Sequence, residues 1–369
     1  MDQGLIRRTA PVLLALLVGG LVAWLAIQSR IGMLGGDGDT VPVLRAAEAR
    51  LLPEGGPERR GTLALPLRWD RLYPGRDGRA EFELTLPATA TDGPQALLFT
   101  RLGNQAEVRI NDQLVLSLGV LGQPGYDAAK APHRLVVPPG LLHGDGRDRL
   151  RVDAGMQALR GGVLSELHFG PQAEVEVLYR RQALWRQTAP LAYCATFAVV
   201  GLLALALWAR LREPLFACFS LASWLGIVRN LDRIWPDPPL SWPAWGVLVN
   251  TAYAWHLALM LMFVVLVLQW QARPLRRVLL GYLPLSLGLV LASFALGRAW
   301  PWSVALYLLI PLGLAVFAGV LWHAGVARPG RLTARMLAGA GAPARWPCRP
   351  ASTTCCSCAA APVPARAFR

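Results

Sequence analysis

Two clusters in this sequence carry side chains able to do chemistry, and they lie far apart along the chain. The first is Arg68-Trp69-Asp70-Arg71-Leu72-Tyr73, just ahead of the turn Pro74-Gly75. Aromatic faces beside hydrogen-bonding groups suit sugar rings, which stack on the π face while their hydroxyls find polar partners. Arg68, Trp69 and Tyr73 are therefore candidate ligand contacts, joined by Tyr126 on the loop Gly122-Gln123-Pro124-Gly125-Tyr126-Asp127. Trp69 has a competing role, as the plug of a sheet core. The second cluster, Arg229, Asn230, Asp232 and Arg233, closes one apolar stretch. Asn250, Tyr253 and His256 recur at helical spacing inside the next. Ionisable groups at membrane depth are costly and often functional, which makes both sets candidate coupling residues. The set ending in His256 suits hydrogen bonds across a helix interface. The set around Asp232 is either a self-paired, snorkelling cluster or a contact point for an outer domain.

Catalytic chemistry has no comparable support. There is no G-x-x-x-x-G-K-[ST] loop, no G-x-G-x-x-G after a strand, no G-x-S-x-G elbow and no H-E-x-x-H. His133, His143, His168, His256 and His323 are scattered. Cys348, Cys355, Cys356 and Cys358 crowd the last stretch without the spaced pairs or nearby His of a zinc site. No catalytic residue, metal site or cofactor is expected. The net charge of +14 and pI near 10.5 invite a nucleic-acid reading. The basic residues are nearly all Arg, however, and they flank apolar spans rather than form a stripe interleaved with aromatics. Nucleic acid is not an expected partner.

Those clusters must be positioned by a membrane scaffold. Of the 369 residues, 54% are hydrophobic and only 16% charged, with mean hydropathy +0.38. Soluble domains are roughly 25% charged. An apolar span at 11–27 follows Arg7 and Arg8, the pattern of a signal peptide or an uncleaved anchor, and the anchor is favoured for want of a clean cleavage site. Residues 29–60 read as a connector with one short helix. Residues 61–187 hold alternating runs at 62–67, 80–86, 96–102, 106–110, 114–118, 134–137, 149–152 and 163–169, which predict a disulfide-free antiparallel β-sandwich. Asn111-Asp112 sits between two runs as a tight hairpin turn. Five more spans follow within 188–325, near 189–208, 214–228, 245–270, 278–296 and 302–322. One alternation places Arg7/Arg8, Arg210/Arg212, Arg273/Arg276/Arg277 and Arg328/Arg331/Arg335 all on the inner side, as cytoplasmic loops require. The sandwich is then exported. Residues 326–369 form a cytoplasmic segment whose Pro-interrupted, aperiodic end reads as a shifted frame, with a disordered tail as the other reading.

Several stretches resemble a known family. Ala106-Glu107-Val108-Arg109-Ile110-Asn111-Asp112-Gln113-Leu114 looks like the hairpin of galactose-binding-like jelly rolls. Pro138-Pro139-Gly140-Leu141-Leu142, followed by Asp148-Arg149-Leu150-Arg151-Val152, is similar to a later stretch of that fold. Gly161-Gly162-Val163-Leu164-Ser165-Glu166-Leu167 and Phe169-Gly170-Pro171 resemble its end in bacterial seven-transmembrane receptors with diverse intracellular signalling modules. The likeness is nearest to their sensor histidine kinase members. It implies an inner-membrane receptor with a periplasmic sensor domain, the sensing half of a two-component phosphorelay. It departs from the pattern in having five spans after the exported domain rather than seven, and no kinase module. The partners implied are membrane lipid, a carbohydrate or other periplasmic ligand, and a response regulator only through the missing kinase half; a homodimer is left open. The competing expectation is a component of envelope polysaccharide transfer or export with a glycan-binding domain. A deep polar groove in the bundle reaching Asp232 would favour that alternative.

Overall fold

The computed structural model describes residues 41–88, 93–138, 140–268 and 273–326. The expected first span at 11–27, Pro139, Trp270, the basic cluster Arg328/Arg331/Arg335 and the C-terminal stretch read as a shifted frame all lie outside the described residues.

Alternation writes the sheets. Strands β1 (Val43–Leu44), β2 (Ala46–Pro53), β3 (Arg59–Ala64), β4 (Leu67–Arg68), β5 (Gly78–Thr85) and β6 (Gln95–Phe99) come first. Then come β7 (Gln105–Ile110), β8 (Gln113–Leu118), β9 (His133–Val136), β10 (Arg149–Met156), β11 (Val163–Leu164) and β12 (Leu167–Pro171). They form a six-stranded sheet in the order β3-β2-β5-β10-β7-β8 and a four-stranded sheet β1-β12-β6-β9, with β11 and β4 paired separately. Every pairing between these strands is antiparallel. Period-two side chains bring Ala80, Phe82 and Leu84 of β5 and Leu150, Val152 and Ala154 of β10 to one face. There they meet Leu97 and Phe99 of β6 and Phe169 of β12 in a shared core. The opposite face of the larger sheet is charged, with Arg109 Nη1 donating to Asp153 at 2.8 Å across strands. The Asn111-Asp112 turn has φ of 48° and 66°, the double positive φ of a tight hairpin.

Three boundaries differ from the expectation. The 29–60 connector contains β2, which is a full internal strand flanked by β3 and β5. Its Ala-Ala-Glu-Ala-Arg composition favours helix, but pairing on both edges and the burial of Ala47, Ala49 and Leu51 override that preference. The sheets end at Pro171, not at 187: residues 172–187 are helical. The run 163–169 is split, because β11 and β12 belong to different sheets.

Helix α1 (Gln172–Ala183) runs through one π-turn (Leu184–Thr188) into α2 (Ala189–Leu211). This continuous helix of 40 residues is about 60 Å long. Its first part buries Val175 against Ala96 and Leu98 on the outer face of the smaller sheet. Helices α3 (Pro214–Ile234), α4 (Ala244–Val267), α5 (Arg273–Leu296) and α6 (Trp300–Val326) follow. Among the described residues five helices are thus long and apolar enough to cross a membrane, and the chain is a multi-pass membrane protein. The second of these, α3, extends past the expected end at 228 and carries Arg229–Arg233 within its last turns. Small buried residues let α2 and α3 approach: Gly201 and Ala204 face Ser220 and Ser223, and Ser220 Oγ donates to Gly201 O at 3.0 Å.

Candidate functional site at the junction of sheets and helices

The sheets sit on the bundle through a network of charged and indole groups. The chain's single lysine, Lys130, ends a 3₁₀ turn (Ala128–Lys130) on the sheet side. Its Nζ donates to Asp232 Oδ1 at 2.7 Å and to Trp235 O at 3.2 Å. The same Asp232 oxygen accepts from Trp245 Nε1 at 2.7 Å, while Oδ2 accepts from Arg229 Nη1 at 3.4 Å. Arg229 lies over the Tyr253 ring, 5.0 Å from its centroid. One carboxylate therefore ties the sheet domain to α3 and α4. Backbone reinforces the tie, with Asp127 N donating to Pro236 O at 2.8 Å.

Behind Lys130 lies a second, fully buried pair. Arg160 Nε is 3.3 Å from Asp127 Oδ2, and both side chains are almost wholly shielded from solvent. Arg160 also donates to the carbonyls of Pro124 and Gly125 at 2.8 Å each and stacks 5.3 Å from the Trp242 ring centroid. Trp242 Nε1 in turn reaches Ala158 O at 2.9 Å. Asn104 Nδ2 and Ala129 N donate to Asp127 Oδ1 at 3.0 and 3.2 Å. Burial pushes the Asp127 carboxyl up, and the charges of Arg160 and Lys130 with those hydrogen bonds pull against it. Burial likewise lowers Arg160, opposed by Asp127 and Asp232. Removing either partner would strand a charge without solvent, which is far costlier than the pair is stabilising.

The π-turn supplies the third tie. Arg186 donates to Thr100 O and, at 2.6 Å, to Ala129 O. Elsewhere the turn at Gly75 (φ +73°) approaches the loop between α5 and α6 so closely that a Cβ there would lie 2.4 Å from Gly297 O. This contact is separate from the network around Asp232 and from the packing of α1 on the smaller sheet.

The expected site residues divide. Arg229, Asp232 and Tyr253 converge in the junction, and Arg233 lines the cleft beside it. Asn230 donates to Gly226 O within its own helix at 2.8 Å, and Asn250 is half-buried on α4. His256 binds Ala222 O of α3 at 2.8 Å and packs edge-on to Phe197, 5.5 Å between centroids, so it joins three helices. Trp69 takes the second of its two expected roles, the plug of the sheet core, and not that of a ligand contact: it is 0% exposed and donates to Arg76 O at 2.7 Å. Tyr73 packs on it, 4.7 Å between centroids, whereas Tyr126 sits against Gly119. The two tyrosines form no common stacking platform. Arg68 lines an adjoining cleft of about 750 Å³ with Asp70, Arg71, Arg101 and Arg186, the last two shared with the cleft beside the junction.

Lys130, Asp127, Asn104, Arg160, Arg186, Trp242 and Trp245 escaped the sequence reading. The one available signal was Lys130 itself, a lone lysine where every other strong base is Arg. No group of three or more His, Cys, Asp or Glu able to hold a metal occurs among the described residues.

No protein-family model matches the chain, and no curated protein matches it. Solved structures with partial likeness include the β-glucuronidase of Ruminococcus gnavus, at 12% identity and TM-score 0.26, covering 37% of this chain and 29% of that one. The β-glucuronidase of Faecalibacterium prausnitzii gives 16% identity and TM-score 0.23, covering 33% and 22%. A GH31 α-xylosidase of Xanthomonas citri gives 16% and 0.24, covering 38% and 17%. The chain spans under a third of each, and likeness at this level carries no argument about fold or activity.

Proposed function

We propose that this protein is the sensing half of a membrane signal receptor. A ligand met by the outer sheet domain changes the packing of the helices, and that change is read on the inner side of a bacterial inner membrane. The domain then faces the periplasm and is a galactose-binding-like jelly roll, which the all-antiparallel two-sheet arrangement supports. The carrying observation is that the domain is coupled to the spans twice over, by a continuous helix with a π-turn and by Asp232 shared among Lys130, Arg229 and Trp245. A passive tether would need neither. π-turns within helices are frequent at functional sites because the extra residue can shift register. The output, a histidine kinase acting on a response regulator, rests on the family resemblance.

The test uses the full chain in lipid nanodiscs and hydrogen exchange. Asp232→Asn should raise exchange at 128–130 and also at the π-turn, 184–188. Loosening at 128–130 with an unchanged π-turn means that the junction is only an anchor.

Envelope polysaccharide transfer is the second reading. A polar cleft of about 370 Å³ does reach Asp232. It lies between sheets and helices rather than through the bundle, and the carboxylate is already held by three donors.

A further inference from the structure

We propose that the cleft where Arg68, Arg71, Arg101 and Arg186 converge binds a phosphate-type oxyanion carried on a larger group. This site does not depend on the receptor reading.

Charge balance is the first ground. Four guanidiniums line this cleft with one carboxylate, Asp70. Both Asp70 oxygens are already held by backbone, Oδ1 by Leu159 N at 2.9 Å and Oδ2 by Gly161 N at 3.2 Å. Among the described residues no acidic side chain pairs with Arg68, Arg71, Arg101 or Arg186. Arg101 and Arg186 also line the neighbouring cleft, where Asp127 and Asp232 are already engaged at close range by Arg160, Lys130 and Arg229. The positive excess therefore runs along the wall that the two clefts share, and Arg68 and Arg71 extend it on the side away from Asp127 and Asp232.

Preorganisation is the second. Arg186 is fixed by two carbonyls, Thr100 O and Ala129 O, which leave further N–H donors of its fork unspent. Burial and then the like charge of Arg68 depress the Arg101 guanidinium, and the charge of Asp127 only partly offsets them. Arginine forks match phosphate oxygens bidentately, and a cleft with low-dielectric walls focuses their field. Size is the third. About 750 Å³ exceeds a bare phosphate and falls within the range of organic ligand sites. The group has two sources: a lipid headgroup, because the π-turn beside the cleft leads directly into α2, or a soluble phosphorylated compound.

The full chain would be placed in nanodiscs of phosphatidylcholine alone and titrated with inorganic pyrophosphate, while a second preparation contains phosphatidylglycerol. Arg68→Ala with Arg101→Ala is the site variant, and Arg147→Ala, on the exposed surface, is the control away from the cleft. Saturable pyrophosphate binding, weakened by at least about tenfold in the site variant and unchanged in the control, supports a soluble ligand. Phosphatidylglycerol retained by the parent through native mass spectrometry, and lost in the site variant only, supports a headgroup. Should the double variant misfold, Arg71→Glu on the exposed rim must weaken the same binding. Site variants indistinguishable from Arg147→Ala toward both probes overturn the proposal.

Discussion

Lys130 Nζ and Asp232 Oδ1 stand 2.7 Å apart although 102 positions separate them in sequence, and their side chains are only 11% and 19% exposed. The pair closes the join between the sheet domain and α3, and Trp245 and Arg229 complete the shell around the carboxylate. At this depth an ion pair is worth more than the ~0–1 kcal/mol of a surface one. A double-mutant cycle with Lys130→Met and Asp232→Asn should give a coupling of about 1–3 kcal/mol, read as the opening free energy of the amides at 127–130 by hydrogen exchange. Additive single effects would leave the pair without a coupling role.

Trp69 should behave as core. Replacing it with Ala opens a cavity between β4, β5 and the turn at Arg76, and should destabilise the outer domain by about 3–5 kcal/mol. Trp69→Phe, which keeps most of the volume but loses the bond to Arg76 O, should cost about 1–3 kcal/mol. The melting temperature of the full chain in detergent orders the two. A Trp69→Ala variant with unaltered stability contradicts the packing.

Gly75 and Gly55 separate strain from contact. Both have positive φ, +73° and +66°, but only the Gly75 Cβ position collides, at Gly297 O; around Gly55 there is open space. Gly55→Ala should cost about 1–2 kcal/mol of left-handed strain. Gly75→Ala should cost more and expose the α5–α6 loop to protease. Equal losses and equal cleavage would show that the approach to Gly297 carries no weight.

Acid should weaken the loop at 140–148 through one group. Burial alone would raise Asp148, but donors from His143, Asn111 and Gly144 outweigh it and hold the carboxyl at about 2. Because the folded value is depressed, its stabilisation is present above the ordinary carboxylate range, near ~4, and disappears as pH falls through about 2. Asp148→Asn should lower stability at pH 7 by about 1–3 kcal/mol and flatten the dependence between those two pH values. A variant with the parent's acid profile would place the titration elsewhere.

Orientation can be checked by reporter fusions after Gln123 and after Arg212. With the basic clusters inside, the two should report from opposite sides. Signals from the same side would invert or break the alternation.

Much of the architecture was legible because its signals are local. Alternating apolar residues reveal a strand's buried face wherever the strand goes, as β5, β7 and β10 did. Twenty apolar residues must cross lipid or be buried whatever their neighbours, and Asn111-Asp112 forces its own turn by backbone sterics. Local signals also misled: Ala46–Pro53 carries helix formers, and only pairing with β3 and β5 makes it a strand. Trp69 had two readings in sequence, and the shape of the space beneath β5 chose between them. The junction was the least legible part. Asp232 and Arg229 advertised themselves as costly polar groups near an apolar span, but Lys130, Asp127 and Arg160 look like ordinary loop residues until the sheets are closed. Local periodicity says which face of an element is buried. Which elements then meet, and so which charges must find each other out of water, is fixed only when the whole chain is packed.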